Sequence, residues 1–390
     1  MTNFMKNSWS RNSNEVLARL QDLVSIESVN PDLPGGQRGE VEVADYIEKF
    51  FTDLDITCQR QPVYPGRDNV IATLPGKRSD RTLLFECHMD TASAEMMTIP
   101  PFEPHIREGN LYGRGSCDTK AGGIAMMMAM KDLKVAGIKP NSTIQYAGVV
   151  DEENGFGGAL ALANESSVTA VVVAEPTDLS VVRSHKGLAR FRIRAKGIAA
   201  HSSKPYLGVN AILQMTKIIK AIEEQILPTY NHQGHPLVGS PTLNIGLISG
   251  GTQINFVPDQ CTIELDRRTI PGEKPSDAIL PFQRLIEQMA NEDRQFEATV
   301  EAIILDNAME TEEHEEIVQI SHRACQNILG QSTITGVPYG TDASKFTIRG
   351  IPSIVLGPGS IDQAHSAVEW VKCQQVIQAV DIYRQIMLNF

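Results

Sequence analysis

The distribution of apolar positions divides the chain into two textures. In "NSNEVLARLQDLVSI" (residues 12–26), Val16, Leu17, Leu20, Leu23 and Val24 recur every three or four residues, which predicts a helix with one buried side and Asn14 as its N-cap. A loop rich in Pro and Gly, "NPDLPGGQRGE", separates it from a second helical pattern through Val43, Tyr46, Ile47, Phe50 and Phe51. Short apolar runs follow: "NVIATL", "TLLFEC", "STIQYAGVV" and "VTAVVVAE". Most are separated by helical segments, and runs apolar on both faces belong to a covered sheet. This part therefore reads as α/β with a largely buried, mainly parallel sheet flanked by helices.

Near residue 186 the pattern changes. "LARFRIRAKG" alternates apolar and polar residues, as a strand with one solvated face does. An amphipathic helix over about 209–226, the strands "SPTLNIGLIS" and "QCTIELDRRTI", a helix over about 274–289 and the strand "FEATVEAII" complete a β-α-β-β-α-β order. That order is expected for a small two-layer α+β domain, ferredoxin-like, inserted into the larger one. The α/β texture resumes from about Thr311 with "TEEHEEIVQISHRACQNIL", "PSIVLG" and a last helix ending at Phe390. The expected division is 1–185 and 304–390 for the two parts of the larger, catalytic domain and 186–303 for the insert.

Composition narrows the function classes. The 390 residues suffice for two cores, and the net charge of −12 argues against nucleic-acid binding and against a polybasic membrane surface. The stretch "MTNFMKNSWSRNSNEV" lacks the apolar centre of a signal peptide, and no run of about 18 apolar residues occurs. The six cysteines are scattered without a CxxC, as expected of reduced thiols in a cytoplasmic protein. The Asn-x-Ser/Thr matches at Asn141 and Asn164 are then chance.

Ionisable residues gather where the apolar runs end, which is where open α/β sheets bind ligands. His88 and Asp90 close "LLFECHMD". A histidine there serves as readily as a hydrogen-bonded core residue, but a nearby carboxylate can fix the tautomer of a metal-binding imidazole. Asp118, in "GRGSCDTKAGG", reads either as an N-cap or as a ligand reached through glycine-lined backbone; the methionines after it are core filling. In "VVDEENGFGG" the strand runs into Asp151, Glu152 and Glu153, and the glycines supply the break that lets neighbouring glutamates converge. One of them would then bind a metal and the other act as a base. Glu175 ends "VVVAEPTD", and His365 follows the loop after "PSIVLG". Two histidines with three or four carboxylates form an oxygen- and nitrogen-rich set suited to two zinc ions. No P-loop or GxSxG competes, and the glycines after Glu153 have the wrong spacing for a dinucleotide site.

The segments "ECHMDT", "GRGSCDTKAG", "VVDEENGFGG", "VVAEPT", "GIAAHSSKPYLGVNAI", "INFVPDQCTIELDRR", "GTDAS" and "GPGSIDQAH" together resemble the di-zinc amidohydrolases and exopeptidases. That family includes acetylornithine deacetylase, succinyl-diaminopimelate desuccinylase, aminoacylase and glutamate carboxypeptidase, and the likeness runs in family order over nearly the whole chain. It implies a zinc-exopeptidase-like fold with a dimerisation and lid domain, two Zn2+ per subunit (Co2+ or Mn2+ as substitutes), and a homodimer. By position, Asp118 would bridge both ions, His88 and Glu175 complete one, and Glu153 and His365 the other. Asp90 would support His88, Glu152 would be the general base acting on a bridging water, and the Asp118–Thr119 peptide would be cis. His201 would stabilise an oxyanion in the partner subunit, while Asn255 and Arg268 would grip the substrate carboxylate. Arg267 would face the other way on the strand. The implied reaction is amide hydrolysis of an N-acyl amino acid, N2-acetylornithine foremost, with a desuccinylase or a dipeptidase or carboxypeptidase as alternatives. A non-catalytic binding homologue would lack a ligand or the base, and none is missing.

Overall fold

A computed structural model describes residues 13–165 and 167–390. The reading of the amino-terminal stretch as lacking a signal peptide falls largely on residues 1–12 and lies outside the described residues. The chain forms two compact units: the first takes the described residues up to Arg183 with Thr311–Thr335 and Thr341–Phe390, the second Ser184–Glu310 with Gly336–Gly340.

In the first unit the central strands, in sheet order, are Thr57–Tyr64, Arg67–Leu74, Ser142–Val149, Arg78–His88, Ala170–Val173, Ser353–Val355 and Val181–His185. The middle four run parallel, and antiparallel strands flank them on either side. All four parallel strands therefore point their carboxyl ends the same way. Their apolar residues (Leu83, Phe85, Ile144, Val172 and Ile354 among them) are inaccessible to water.

Helix Lys120–Val135 packs against the sheet and against helices Ser13–Val24 and Cys373–Asn389. It is apolar around its circumference, as a helix covered on every side must be. Met126, Met127, Met128 and Met130 are core filling as expected, each worth about 1.5–3 kcal/mol when fully buried. Gly122 and Gly123 allow its first turn to lie against the strand ends, because a Cβ there would meet the Ala174 Cβ at 2.7 Å and the Cys87 Sγ at 2.8 Å.

Two local expectations are corrected. The first helix begins at Ser13, so Asn14 is already helical and cannot cap it. The helix placed at 274–289 starts at Leu280, preceded by a short 3-10 turn at Asp277–Ile279. Pro281 explains the offset: proline has no N–H to continue an upstream turn but fits a first one.

The second unit is a four-stranded antiparallel sheet in the order Thr242–Gly250, Gln260–Thr269, Gly187–Lys196, Glu297–Asp306. Helices Ala211–Ala221 and Leu280–Glu292 cover one face, where Phe191, Ile193, Ile263, Ile218 and Phe282 pack together. Asn210 caps the first of these, its Oδ1 accepting the N–H groups of Ile212 and Leu213 at 3.0 and 3.2 Å. The helix expected over about 209–226 is present from Ala211, continuing through a π turn at Ile222–Ile226 into Leu227–Tyr230. Among the described residues, no helix is long and apolar enough to cross a membrane.

Candidate metal centre

The carboxyl ends of the parallel strands in the first unit supply a cluster of ionisable groups. His88 closes its strand with Nε2 3.1 Å from Asp118 Oδ1 and 3.7 Å from Glu175 Oε1. The other oxygen of Asp118, Oδ2, stands 3.3 Å from His365 Nε2, which in turn is 3.0 Å from Glu153 Oε2. Two three-residue groups result, His88–Asp118–Glu175 and Asp118–Glu153–His365, each with its donor atoms within 4.8 Å of one another. Asp118 belongs to both.

Local structure explains this convergence. The Asp118–Thr119 peptide is cis, as the resemblance implied, and Thr119 Oγ1 donates to the Ala174 carbonyl at 2.8 Å. That bond ties the Asp118 loop to the strand that leads to Glu175. After Val150 the chain is turned by Asp151 itself, whose φ of 71° is left-handed. The glycines expected to break the strand come later, and Asp tolerates this conformation when its carboxylate is held locally. Here Asn30 Nδ2 donates to it at 3.0 Å and the Tyr64 hydroxyl at 2.8 Å.

Asp90 then fixes the two glutamates. Its fully buried carboxylate accepts the N–H of Glu152 at 3.1 Å, the N–H of Glu153 at 3.0 Å and Asn30 Nδ2 at 2.7 Å. His88 Nδ1 is closer to the Asp90 backbone carbonyl, 2.9 Å, than to its carboxylate, 3.6 Å. The support that Asp90 gives His88 therefore runs first through the main chain. The side chain is occupied with the Glu152–Glu153 backbone.

The charges demand a cation. Hydrogen bonds donated by the imidazole to Asp118 and Glu153 push His365 up to about 11. Burial opposes the same shift at His88, yet Asp118 and Asp90 raise it well above the ordinary range. Burial drives the Glu152 and Glu175 carboxyls up, with neighbouring acids adding to it. Glu153 Oε1 is buried without a hydrogen-bond partner. Ligand atoms bound at about 2.1 Å around a tetrahedral ion lie about 3.4 Å apart, matching the spacings seen here. The residues present fit two divalent ions.

The model of peptidase family M20/M25/M40 matches residues 84–389 of this chain. The chain belongs to that family. It is similar to a probable succinyl-diaminopimelate desuccinylase of Staphylococcus epidermidis, 26% identical over 94% of this chain and 95% of the relative. An acetylornithine deacetylase of Vibrio campbellii is 28% identical over 95% of this chain and 97% of its own. Among solved structures, the aminopeptidase PepT of Bacillus cereus superposes with a TM-score of 0.80 at 24% identity, covering 97% of this chain and 98% of its own. As an M20-family member, the chain is a metal-dependent amidohydrolase.

Other functional neighbours escaped the sequence reading. Asn30 bridges Asp90 and Asp151 from a loop 60 and 121 residues away in sequence. Glu86, two positions before His88, is fully buried and pushed well up by burial and by the charge of Asp342, which also raises Glu152. A glutamate inside the apolar run "TLLFEC" was the available signal. Glu369 gathers the Asp118 loop, its carboxylate accepting the N–H groups of Cys117 and Asp118.

The remaining candidates lie in the second unit. His201 Nδ1 accepts the Ser203 backbone N–H at 3.1 Å, so the neutral imidazole carries its proton on Nε2, the form that can donate to an oxyanion. The Ser202 N–H donates to the Asn255 carbonyl at 3.0 Å, which brings the His201 and Asn255 loops together. Arg268 lies on the sheet face away from the helices and holds Asp266 at 2.8 and 3.3 Å, a carboxylate shared with Arg190. Its neighbour Arg267 is buried on the opposite face in a two-pronged pair with Glu273.

Proposed function

We propose that this M20-family enzyme hydrolyses the amide bond of small N-acyl amino acids, with N2-acetylornithine, giving ornithine and acetate, as its foremost substrate. One observation carries the reading: two three-residue donor groups share Asp118, and the half-buried Glu152 carboxyl lies beside them without belonging to either. The relatives named as an acetylornithine deacetylase and a probable succinyl-diaminopimelate desuccinylase support an acylated amino acid as the substrate class.

In this reading His88, Asp118 and Glu175 hold one divalent ion, and Asp118, Glu153 and His365 the other. Zinc is the expected metal, with cobalt or manganese as substitutes on the same donors. Such a pair supplies Lewis acidity toward the scissile carbonyl and lowers the pKa of water toward about 7. Glu152 takes the proton of the attacking water on its carboxylate and returns it to the leaving amine nitrogen. Asp90 holds the backbone of Glu152 and Glu153, which keeps base and ligand in register.

To the second unit we assign substrate recognition and dimerisation. His201 donates from Nε2 to the developing oxyanion in a partner copy, and Asn255 and Arg268 take the substrate carboxylate. For Arg268 the substrate competes with Asp266. The edge strand Thr242–Gly250, "TLNIGLISG", bears no charge and exposes Leu247 (64%) and Ile248 (61%), whereas the opposite edge presents Glu297 and Glu301. Uncharged apolar edges recruit further strands and charged ones repel them, which supports a homodimer through the former. Six free thiols support a reducing, cytoplasmic setting.

The test is metal-replete turnover against N-acetylornithine, other N-acetyl amino acids, N-succinyl-diaminopimelate and dipeptides, with a chelator control. Chelator-sensitive deacetylation led by N-acetylornithine is the expected result. Turnover led by a dipeptide or the succinyl substrate overturns the substrate while keeping the site. Two metals bound without turnover of any substrate would favour a binding protein instead.

A further inference from the structure

Glu369 takes no part in the chemistry above, yet its fully buried carboxylate is saturated with donors. Oε2 accepts Arg114 Nη1 at 2.7 Å and the Gly115 N–H at 3.1 Å; Oε1 accepts the N–H groups of Cys117 at 2.8 Å and Asp118 at 3.0 Å. Arg114, only 2% exposed, also donates to the Ser93 carbonyl at 2.8 Å and reaches the Ser366 carbonyl at 3.5 Å. The Glu369 carbonyl in turn accepts the Gly113 N–H at 3.1 Å. One buried ion pair thus joins the loop that delivers Asp118 to the loop that delivers His365.

The two donor groups depend on this joint unequally. His88 and Glu175 issue directly from strands of the sheet, with side chains 2% and 7% exposed. Nothing in their placement relative to each other involves Glu369. His365 stands instead on an irregular loop, with φ of 57° and a side chain 60% exposed. Its distance from Asp118 is set by how residues 365–369 sit on residues 113–118.

We infer that Glu369, paired with Arg114, is a positioning residue for the Asp118–Glu153–His365 group and governs its metal affinity more strongly than that of the His88–Asp118–Glu175 group. The inference rests on the metal-binding reading above. Glu369→Gln is a sharp probe because it keeps the shape and replaces one accepting oxygen with an NH2. Whichever way the amide turns, two donors (Arg114 with Gly115, or Cys117 with Asp118) face a group that cannot accept. Loss of an outer hydrogen-bond partner of this kind typically costs ten- to a hundredfold in metal affinity.

The experiment is titration of metal-free protein with Co2+, followed by calorimetry and visible absorption, with circular dichroism to establish folding. Wild type should take up two equivalents. E369Q should bind one equivalent roughly ten- to a hundredfold more weakly and the other with a distinctly smaller loss. R114K, which keeps the charge but loses the fork reaching Ser93 and Ser366, should weaken the same equivalent to a smaller degree, and it decides the matter if E369Q does not fold. Two equivalents bound as in wild type, or both weakened alike, overturn the inference alone. A folded wild type that binds no cobalt overturns the metal reading and the inference with it.

Discussion

Replacing Glu152 with Gln separates proton transfer from metal binding. The side chain belongs to neither donor group, and the Glu152 N–H that anchors it donates to Asp90 from the main chain, so the amide variant keeps the local fold. Metal content should therefore equal that of wild type. Burial holds the Glu152 carboxyl well above its ordinary range, and Asp342, Glu153 and Asp118 add to the shift although His88 opposes it. A raised carboxyl pKa means that the metal-free fold disfavours this charge above the unfolded pKa, so a neutral amide should leave the metal-free protein at least as stable. Turnover responds differently. Loss of a general base costs about 10²–10⁴ in rate, or about 2.7–5.4 kcal/mol of barrier, and the loss should fall on kcat with KM little changed. The assay is steady-state hydrolysis of N-acetylornithine by metal-replete enzyme, beside elemental analysis and thermal unfolding of the same preparations. Wild-type kcat in a variant with two metals would refute the assignment of the base. A fall in kcat matched by loss of metal would show that Glu152 is a ligand instead.

Asp118→Ala removes the one residue common to both groups, so the purified variant should lose both ions together with activity, as elemental analysis would show; retention of two ions would contradict the shared ligand. Met127→Ala, in the helix buried on all sides, should destabilise the first unit by about 2–5 kcal/mol in urea unfolding while leaving metal stoichiometry at the native temperature intact. Ile248→Glu places a charge in the apolar edge strand and should convert a dimer to a monomer in light scattering; an unchanged dimer would move the interface elsewhere.

What could be read from the sequence follows from the range of the interactions involved. Strand-borne candidates were visible because a polar residue at the end of a buried run contradicts its surroundings, and His88, Glu175 and the Glu152–Glu153 pair all announced themselves in that way. The strands of the second unit were visible through alternation and its helices through their amphipathic spacing, although Pro281 delayed one helix. Asp151 was misread because residue type alone makes glycine the expected strand breaker. The carboxylate contacts that hold its φ positive come from Asn30 and Tyr64, far away in the chain. Glu369 was invisible for the same reason: its partners Cys117 and Asp118 lie 252 and 251 residues earlier. Periodicity encodes which face of an element is buried. It does not encode which distant loop that element will hold.

Four carboxylates of the first unit, Asp90, Glu369, Glu153 and Glu175, differ in a physical respect that does not depend on any resemblance. A buried carboxylate is tolerable only where donors replace the water it has lost. Asp90 meets that requirement with Asn30 and two backbone N–H groups, and Glu369 with a guanidinium and three. Both are complete within the protein, so neither has anything left to offer an ion. Glu175 and Glu153 differ: their oxygens face imidazoles, and Glu153 Oε1 has no hydrogen bond at all. Their desolvation is not offset by the chain, and the imidazoles beside them are driven toward the protonated state to supply the missing positive charge. A divalent ion supplies that charge better than a proton, because it satisfies three donors at once. On the proposed reading Asp90 and Glu369 are supports and Glu153 and Glu175 ligands, and Asp118, whose two oxygens face two different histidines, is where the supports and both donor groups meet.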